Sequence, residues 1–263
     1  MGYEAIWSIG VKNPRYLPSW GSWGETLIVS PDVLAPDVLA GIPALPAAVS
    51  KVLEETGKDE PDARVLTKAI ESDAGLASKM LTLVNSPYYG LNGTVSNLGQ
   101  AVVMVGMRQV RNVALAVGAL RSIPGIPPAI VDRFLDQAMA TAKVARGIAS
   151  KAGLSPQDAD TAHLGGLLRG VGSLVALRLG ERNPSDLEIA KLSQIVLEFW
   201  NLPTSIVAAV GESAGNFAEG AEASTAGAVH IAVMVIGGRP GDADPNALAS
   251  LRLTSEDLAA IQI

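Results

Sequence analysis

With no cysteine in its 263 residues, this chain is left with imidazole, guanidinium, phenol and carboxylate groups for chemistry. Disulfides, thiolate nucleophiles and cysteine-based zinc or iron–sulfur sites are excluded, so a metal would need histidine and carboxylate donors. His163 and His230 are the two imidazoles. His230 falls in the apolar run Ala228–Val233 and His163 is expected at the start of a helix; neither has a partner at ligand spacing. Both are therefore expected to be hydrogen-bonded core residues. The carboxylate pairs Glu54-Glu55 and Glu256-Asp257 are assigned to polar helix faces or first turns, where solvation and the helix dipole explain them. There is no Walker-type phosphate loop and no Gly-x-Ser-x-Gly elbow.

Two arginines one helical turn apart, Arg108 and Arg111, could bracket an anion or bind a partner. An ion pair, with Asp73 as one acceptor, or a bond to the preceding turn's carbonyls is the structural alternative. Asn85-Ser86-Pro87 is expected to end a helix, Asn85 by left-handed geometry, and Tyr88-Tyr89-Gly90 to turn the chain. The tyrosines are expected to lock that turn onto neighbouring helices.

The elements that position these groups are predicted to be helices. Hydrophobic residues make up 48% of the chain and aromatics only 4%, so the core must be built from Ala, Val, Leu and Ile. Leu76, Met80 and Leu83 form one apolar stripe, and Val110, Val113, Ala114 and Val117 another. Ser155-Pro156 with Asp158, and Thr254 with Asp257, are start signals; Gly57, Gly90 and Gly153 are stop signals. Ser122–Pro128, with three prolines, cannot continue a helix and makes the best internal boundary. Beyond it, helices are predicted near 129–152, 155–178, 185–200, 203–212 and 223–236, then a loop at 237–242 and one short closing helix. Gly165-Gly166 predicts close helix–helix approach. Residues 1–41 hold three of the four tryptophans and no helical period, with a short strand expected at Glu25–Val29 and a loop at Trp20–Gly24.

The formal charge of −6 leaves no electrostatic footprint for nucleic acid. No apolar run reaches the ~18 residues of a membrane span, and a cytoplasmic protein is expected.

Several motifs occur in a family's order: Ile42-Pro43-Ala44-Leu45-Pro46, Ile70–Leu76, then Asn85-Ser86-Pro87-Tyr88-Tyr89-Gly90. Val95–Val102 follows, then Gly106-Met107-Arg108-Gln109-Val110-Arg111-Asn112. On these the chain resembles the HDOD family, bacterial helical modules related to HD phosphohydrolases. The likeness covers roughly residues 42–263. It implies an all-α fold of two packed helical bundles, 42–121 and a second, HD-domain-like bundle at 129–263, with 1–41 as an irregular appendage. Asn85, Ser86, Tyr88, Tyr89, Arg108, Arg111 and Asn112 are its candidate binding or structural residues.

Compared with an HD hydrolase, Gln137 stands in place of the first metal-binding His, Arg169-Gly170 in place of the His-Asp pair and Val233 in place of the late Asp. The resemblance thus implies no catalytic residue, no metal and no cofactor. A non-catalytic signal-transduction or regulatory module is expected, binding signalling proteins or a second copy of itself. The alternative is a residual metal-dependent phosphohydrolase or nucleotide-binding descendant that uses Arg169 as an anion contact. A third reading makes Arg108, Arg111 and Arg121 a local basic patch for nucleic acid.

Overall fold

The structure, a computed structural model, describes residues 39, 41–91, 93–180, 184–215, 217 and 221–259. The appendage with its expected strand and tryptophan loop lies almost wholly outside them. Among the described residues all regular structure is helical, as the composition and the resemblance imply.

Five helices form the first half: α1 (Ala47–Thr56), α2 (Ala63–Glu71), α3 (Ala74–Val84), α4 (Leu98–Val105) and α5 (Met107–Ser122). Helix α6 (Pro128–Lys151) is the longest, and α7 (Pro156–Leu168), α8 (Val171–Arg178), α9 (Asp186–Phe199), α10 (Thr204–Gly211) and α11 (Ala221–Ile236) follow. The chain closes with α12 (Pro245–Ser250) and α13 (Ser255–Ala259), two short helices where one was expected.

Local chemistry sets these boundaries. Asp62, Asp73, Asn97 and Ser155 each accept a backbone N–H in the first turn of α2, α3, α4 and α7, satisfying donors that a helix start leaves unpaired. Thr254 and Asp257 cap reciprocally, at 3.3 Å from Asp257 N to Thr254 Oγ1 and 2.9 Å from Thr254 N to Asp257 Oδ2. The Ser122–Pro128 stretch separates α5 from α6, with Pro128 at the first position of α6. Gly153 takes φ +78° just beyond α6, a left-handed position that a Cβ would strain. The helix expected over 155–178 is in fact two. Leu168 ends α7 and Val171 begins α8, with Gly170 at φ −80°, ψ −6° between them. The break frees Arg169 and Gly170 from a continuous helical register.

The two sequence stripes are buried: Leu76, Met80 and Leu83 on α3, and Val110, Val113, Ala114 and Val117 on α5. Burying each Leu or Val side chain contributes about 1.5–3 kcal/mol. One core joins α1–α5 to the first half of α6, the end of α7 and helices α8–α10. A second gathers the far half of α6, the start of α7, α11 and the closing helices. Helices α6 and α7 pack closely because Gly166 faces backbone. A Cβ there would lie 2.7 Å from Ala142 Cα, and one at Gly165 would lie 3.0 Å from Val229 Cγ2. No described helix is long and apolar enough to cross a membrane.

Candidate functional site

Two polar places interrupt this aliphatic core. The first lies where α6, the α7–α8 break and α11 meet. Gln137, Arg169, Gly170 and Val233 line one small cavity there, together with Phe134 and Thr141. Its volume, about 50 Å³, holds little more than one or two water molecules. Arg169 is 5% exposed and its guanidinium is held on two sides. Its Nε donates to Ser213 Oγ at 2.9 Å and its Nη2 to the Asp186 carbonyl at 2.7 Å. The Asp186 carboxylate also receives Arg239 at 3.0 Å. The Arg169 carbonyl accepts from Ser193 Oγ at 2.9 Å.

His230, on α11 nearby, is fully engaged. Its Nε2 accepts from Asp244 N at 3.0 Å, so Nδ1 carries the proton and donates to the Ser213 carbonyl at 2.9 Å. Burial lowers its pKa, against the Ser213 bond, which raises it. This is the bonded core histidine expected.

A divalent cation needs several carboxylate or imidazole donors to offset its dehydration. The cavity offers an amide, a guanidinium, the neutral hydroxyls of Thr141 and Ser173, and apolar walls. The residues do not fit a metal, and no cluster of three or more His, Asp or Glu that could hold one occurs among the described residues.

The second polar place lies between the Asn85–Leu91 turn, α5, α6 and α7. Asn85 ends α3 with φ −83°, not the left-handed geometry expected of it. Its side chain instead staples the loop, Oδ1 accepting from Val95 N at 2.8 Å and Nδ2 donating to the Val95 carbonyl at 2.9 Å. Ser86 Oγ donates to the Leu83 carbonyl at 2.6 Å. The stapled turn presents Tyr88 and Tyr89, ring centres 4.7 Å apart edge to face, against the core. Burial raises both phenol pKa values. Tyr88 stacks towards His163 at 6.4 Å.

His163 lies in the middle of α7, not at its start, and it is 0% exposed. Neither ring nitrogen has a hydrogen-bond partner, contrary to the bonded role expected for it. Burial, with Arg146 and Arg111 nearby, pushes its pKa down to about 3. Arg108 Nη1 reaches Asp160 Oδ2 at 2.9 Å and Arg146 Nη2 reaches Asp160 Oδ1 at 3.2 Å. Arg111 does not meet Asp73, whose carboxylate caps α3 at Leu76 N. It bonds Asn112 Oδ1, through Nε at 3.0 Å and Nη2 at 2.9 Å. Arg121 sits at the other end of α5 beside Gly75, apart from Arg108 and Arg111.

Tyr88 and Ser86 also line an open groove of about 640 Å³. Leu83, Met139, Ile148 and Leu253 form its apolar wall, and Lys143 lies along it on α6.

A family comparison decides what carries these sites: the HDOD domain matches residues 42–189, more than half of the chain. The chain belongs to the HDOD family. An HDOD domain protein of unknown function from Geobacter sulfurreducens superimposes with a TM-score of 0.64 at 15% identity, covering 86% of this chain and 91% of that one. An inferred signal transduction protein from Marinobacter aquaeolei VT8 gives 0.65 at 18% identity, covering 89% and 63%. An inferred phosphohydrolase from Shewanella amazonensis SB2B gives 0.60 at 16% identity, covering 87% and 94%. At these identities the likenesses show a shared fold alone. In sequence, the HDOD chain is 28% identical over 198 residues to an uncharacterised protein of Treponema pallidum (strain Nichols). The match takes in 66% of this chain and 38% of that protein's length.

The structure thus brings Gln137, Arg169, Gly170 and Val233 to one cavity, and Tyr88, Tyr89, Arg108, Arg111 and Asn112 to one junction. Asn85 and Ser86 shape the turn above it. Sequence reasoning missed Asp160 and Arg146. Asp160 carries a signal, a carboxylate one turn before His163 on a helix otherwise rich in Ala, Leu and Gly; Arg146 carries none. Glu55, expected on a polar face, is 3% exposed and holds Lys58 at 2.5 Å and Asp62 N at 2.8 Å.

Proposed function

We propose that this HDOD protein is a non-catalytic regulatory module of signal transduction that acts by binding other proteins. The observation that carries the reading is the state of Arg169. By the family likeness Arg169-Gly170 stands where an HD hydrolase has its His-Asp pair, and in the α6–α8–α11 cavity that guanidinium is buried and bonded to Ser213 and the Asp186 carbonyl. A fixed positive charge there opposes a cation, and Gln137, Gly170 and Val233 add no anionic donor.

Binding capacity lies instead on the outside. The groove along α6 offers apolar walls of a size that accepts one or two anchoring side chains. On α4, Val103 and Met104 are 83% and 51% exposed, an apolar edge suited to a protein partner. The name of the Marinobacter aquaeolei structure, as a signal transduction protein, agrees with this role.

Elemental analysis of the purified chain, with a generic phosphoester assay in added manganese and magnesium, tests the reading. The expected result is no stoichiometric metal and no turnover. Turnover that disappears in Arg169→Ala would establish the residual-phosphohydrolase alternative instead.

A further inference from the structure

Among the described residues, the buried side-chain polar atoms without a hydrogen bond are Tyr89 Oη, Asn112 Nδ2 and both nitrogens of His163. All belong to the junction of the turn, α5 and α7. Elsewhere in this core, buried polar groups such as Ser193, Ser213 and His230 are bonded. A buried polar atom without a partner is unfavourable, and four together at one junction call for a partner such as water or a bound ion.

Charge points to the kind of partner. Arg108, Arg111 and Arg146 converge on one carboxylate, Asp160, which pairs with Arg108 and Arg146. Arg111 is half-buried, and its bonds go to the neutral Asn112 amide. Among the described residues, Asp160 is the acidic group that acts on Arg111, and the charges that act on His163 are those of Arg146 and Arg111. Three guanidinium charges against one carboxylate leave an excess that a dianion would neutralise.

We propose that this junction is a binding site for a small phosphate-type oxyanion. Arg111 is its main ligand, with Arg108 and Arg146 at the rim and Asn112, His163 and Tyr89 supplying hydrogen bonds. Donors dominate the set, since guanidinium and amide N–H groups only donate, and this matches an acceptor-rich oxyanion rather than a metal or an apolar ligand. The Arg108 and Arg146 side chains are 63% and 44% exposed and so present the rim to solvent. Tyr88 and Tyr89 form the cover. The Tyr89 hydroxyl makes no bond that would hold it shut. The site is separate from the Arg169 cavity, and it does not rest on the protein-binding reading.

Calorimetric titration of the full chain at low ionic strength with sodium phosphate, adenosine monophosphate and sodium acetate tests the assignment. Saturable binding of phosphate, with acetate weaker, is expected. Adenosine monophosphate binding more tightly than phosphate identifies a phosphomonoester as the natural form, whereas equal or weaker binding identifies free phosphate.

Arg111→Gln is expected to weaken binding about tenfold or more, the loss of one charge-assisted hydrogen bond. Arg146→Gln, on a side chain that is 44% exposed, should also weaken it. Lys68→Gln on α2 should leave it unchanged. Absence of saturation, wild-type affinity in Arg146→Gln, or a crystal grown with phosphate that shows only water at His163 and Asn112 would each overturn the proposal.

Discussion

The cavity beside Arg169 and the junction beneath Tyr88 are both polar islands in an Ala-, Leu- and Val-rich core, but their hydrogen bonds are distributed in opposite ways. At the cavity a buried cation meets a hydroxyl, a carbonyl and a carboxylate of its own chain, and the space left is about 50 Å³. At the junction two arginines share one carboxylate, a third bonds only the neutral Asn112 amide, and four buried atoms have no hydrogen bond within the chain. The first arrangement is closed on itself and resists ligands. The second leaves binding capacity unused, and such a region is both a weaker contributor to stability and a more receptive surface.

Substitutions at the closed side should do most damage. Gly166→Val would drive a branched side chain into the Ala142 backbone and is expected to lower stability by about 3 kcal/mol or more, read by denaturant unfolding. Arg169→Leu strands the groups it bonds and should destabilise by ~2–4 kcal/mol, while Arg146→Leu at the junction rim should lose less than ~1 kcal/mol. Equal losses at the two arginines would erase the contrast between the regions.

Acid should expose the junction next. His163 is held neutral, with its pKa near 3 when folded against an ordinary value near 6.5 unfolded. The unfolded chain therefore binds the extra proton first. The associated stability is complete above about pH 6.5 and declines on acidification towards pH 3, by up to ~1.4 kcal/mol per pH unit. In His163→Leu the slope should flatten, leaving the part that His230 contributes. At neutral pH the same variant should gain ~1 kcal/mol, because its two unbonded nitrogens are gone. A loss there would mean that the ring has partners in solution. A similarly small effect is expected from Asn85→Ala, which removes the two bonds to Val95 and should cost about 1 kcal/mol, with faster hydrogen exchange at the Val95 amide.

Much of the fold was legible because it depends on short-range rules. The stripes on α3 and α5, the caps at Ser155 and Thr254 and the proline boundary before α6 all follow from residue spacing. The α7–α8 break was not legible. Val171 and Leu174 continue the apolar pattern past Gly170, and only packing against α9, where a Cβ at Gly172 would meet the Ile189 carbonyl, shows the turn. The convergence of Gln137, Arg169 and Val233 could be anticipated from a family likeness. The partners of Arg169, at Ser213 and Asp186, could not, since they are distant in sequence and of common residue types. His163 was misjudged for a similar reason: pattern shows that an imidazole is buried, but only its neighbours show whether it is bonded.

Helix α6 carries Gln137 and Thr141 in the cavity wall, Lys143 on the groove and Arg146 at the junction. Its 24 residues make a rod about 36 Å long, seated in both cores. Any rotation of this rod about its axis would carry Arg146, Lys143 and the cavity wall of Gln137 and Thr141 together. Occupancy at the junction that turned it would thereby be readable, as a change in groove shape, by whatever rests on the outer face.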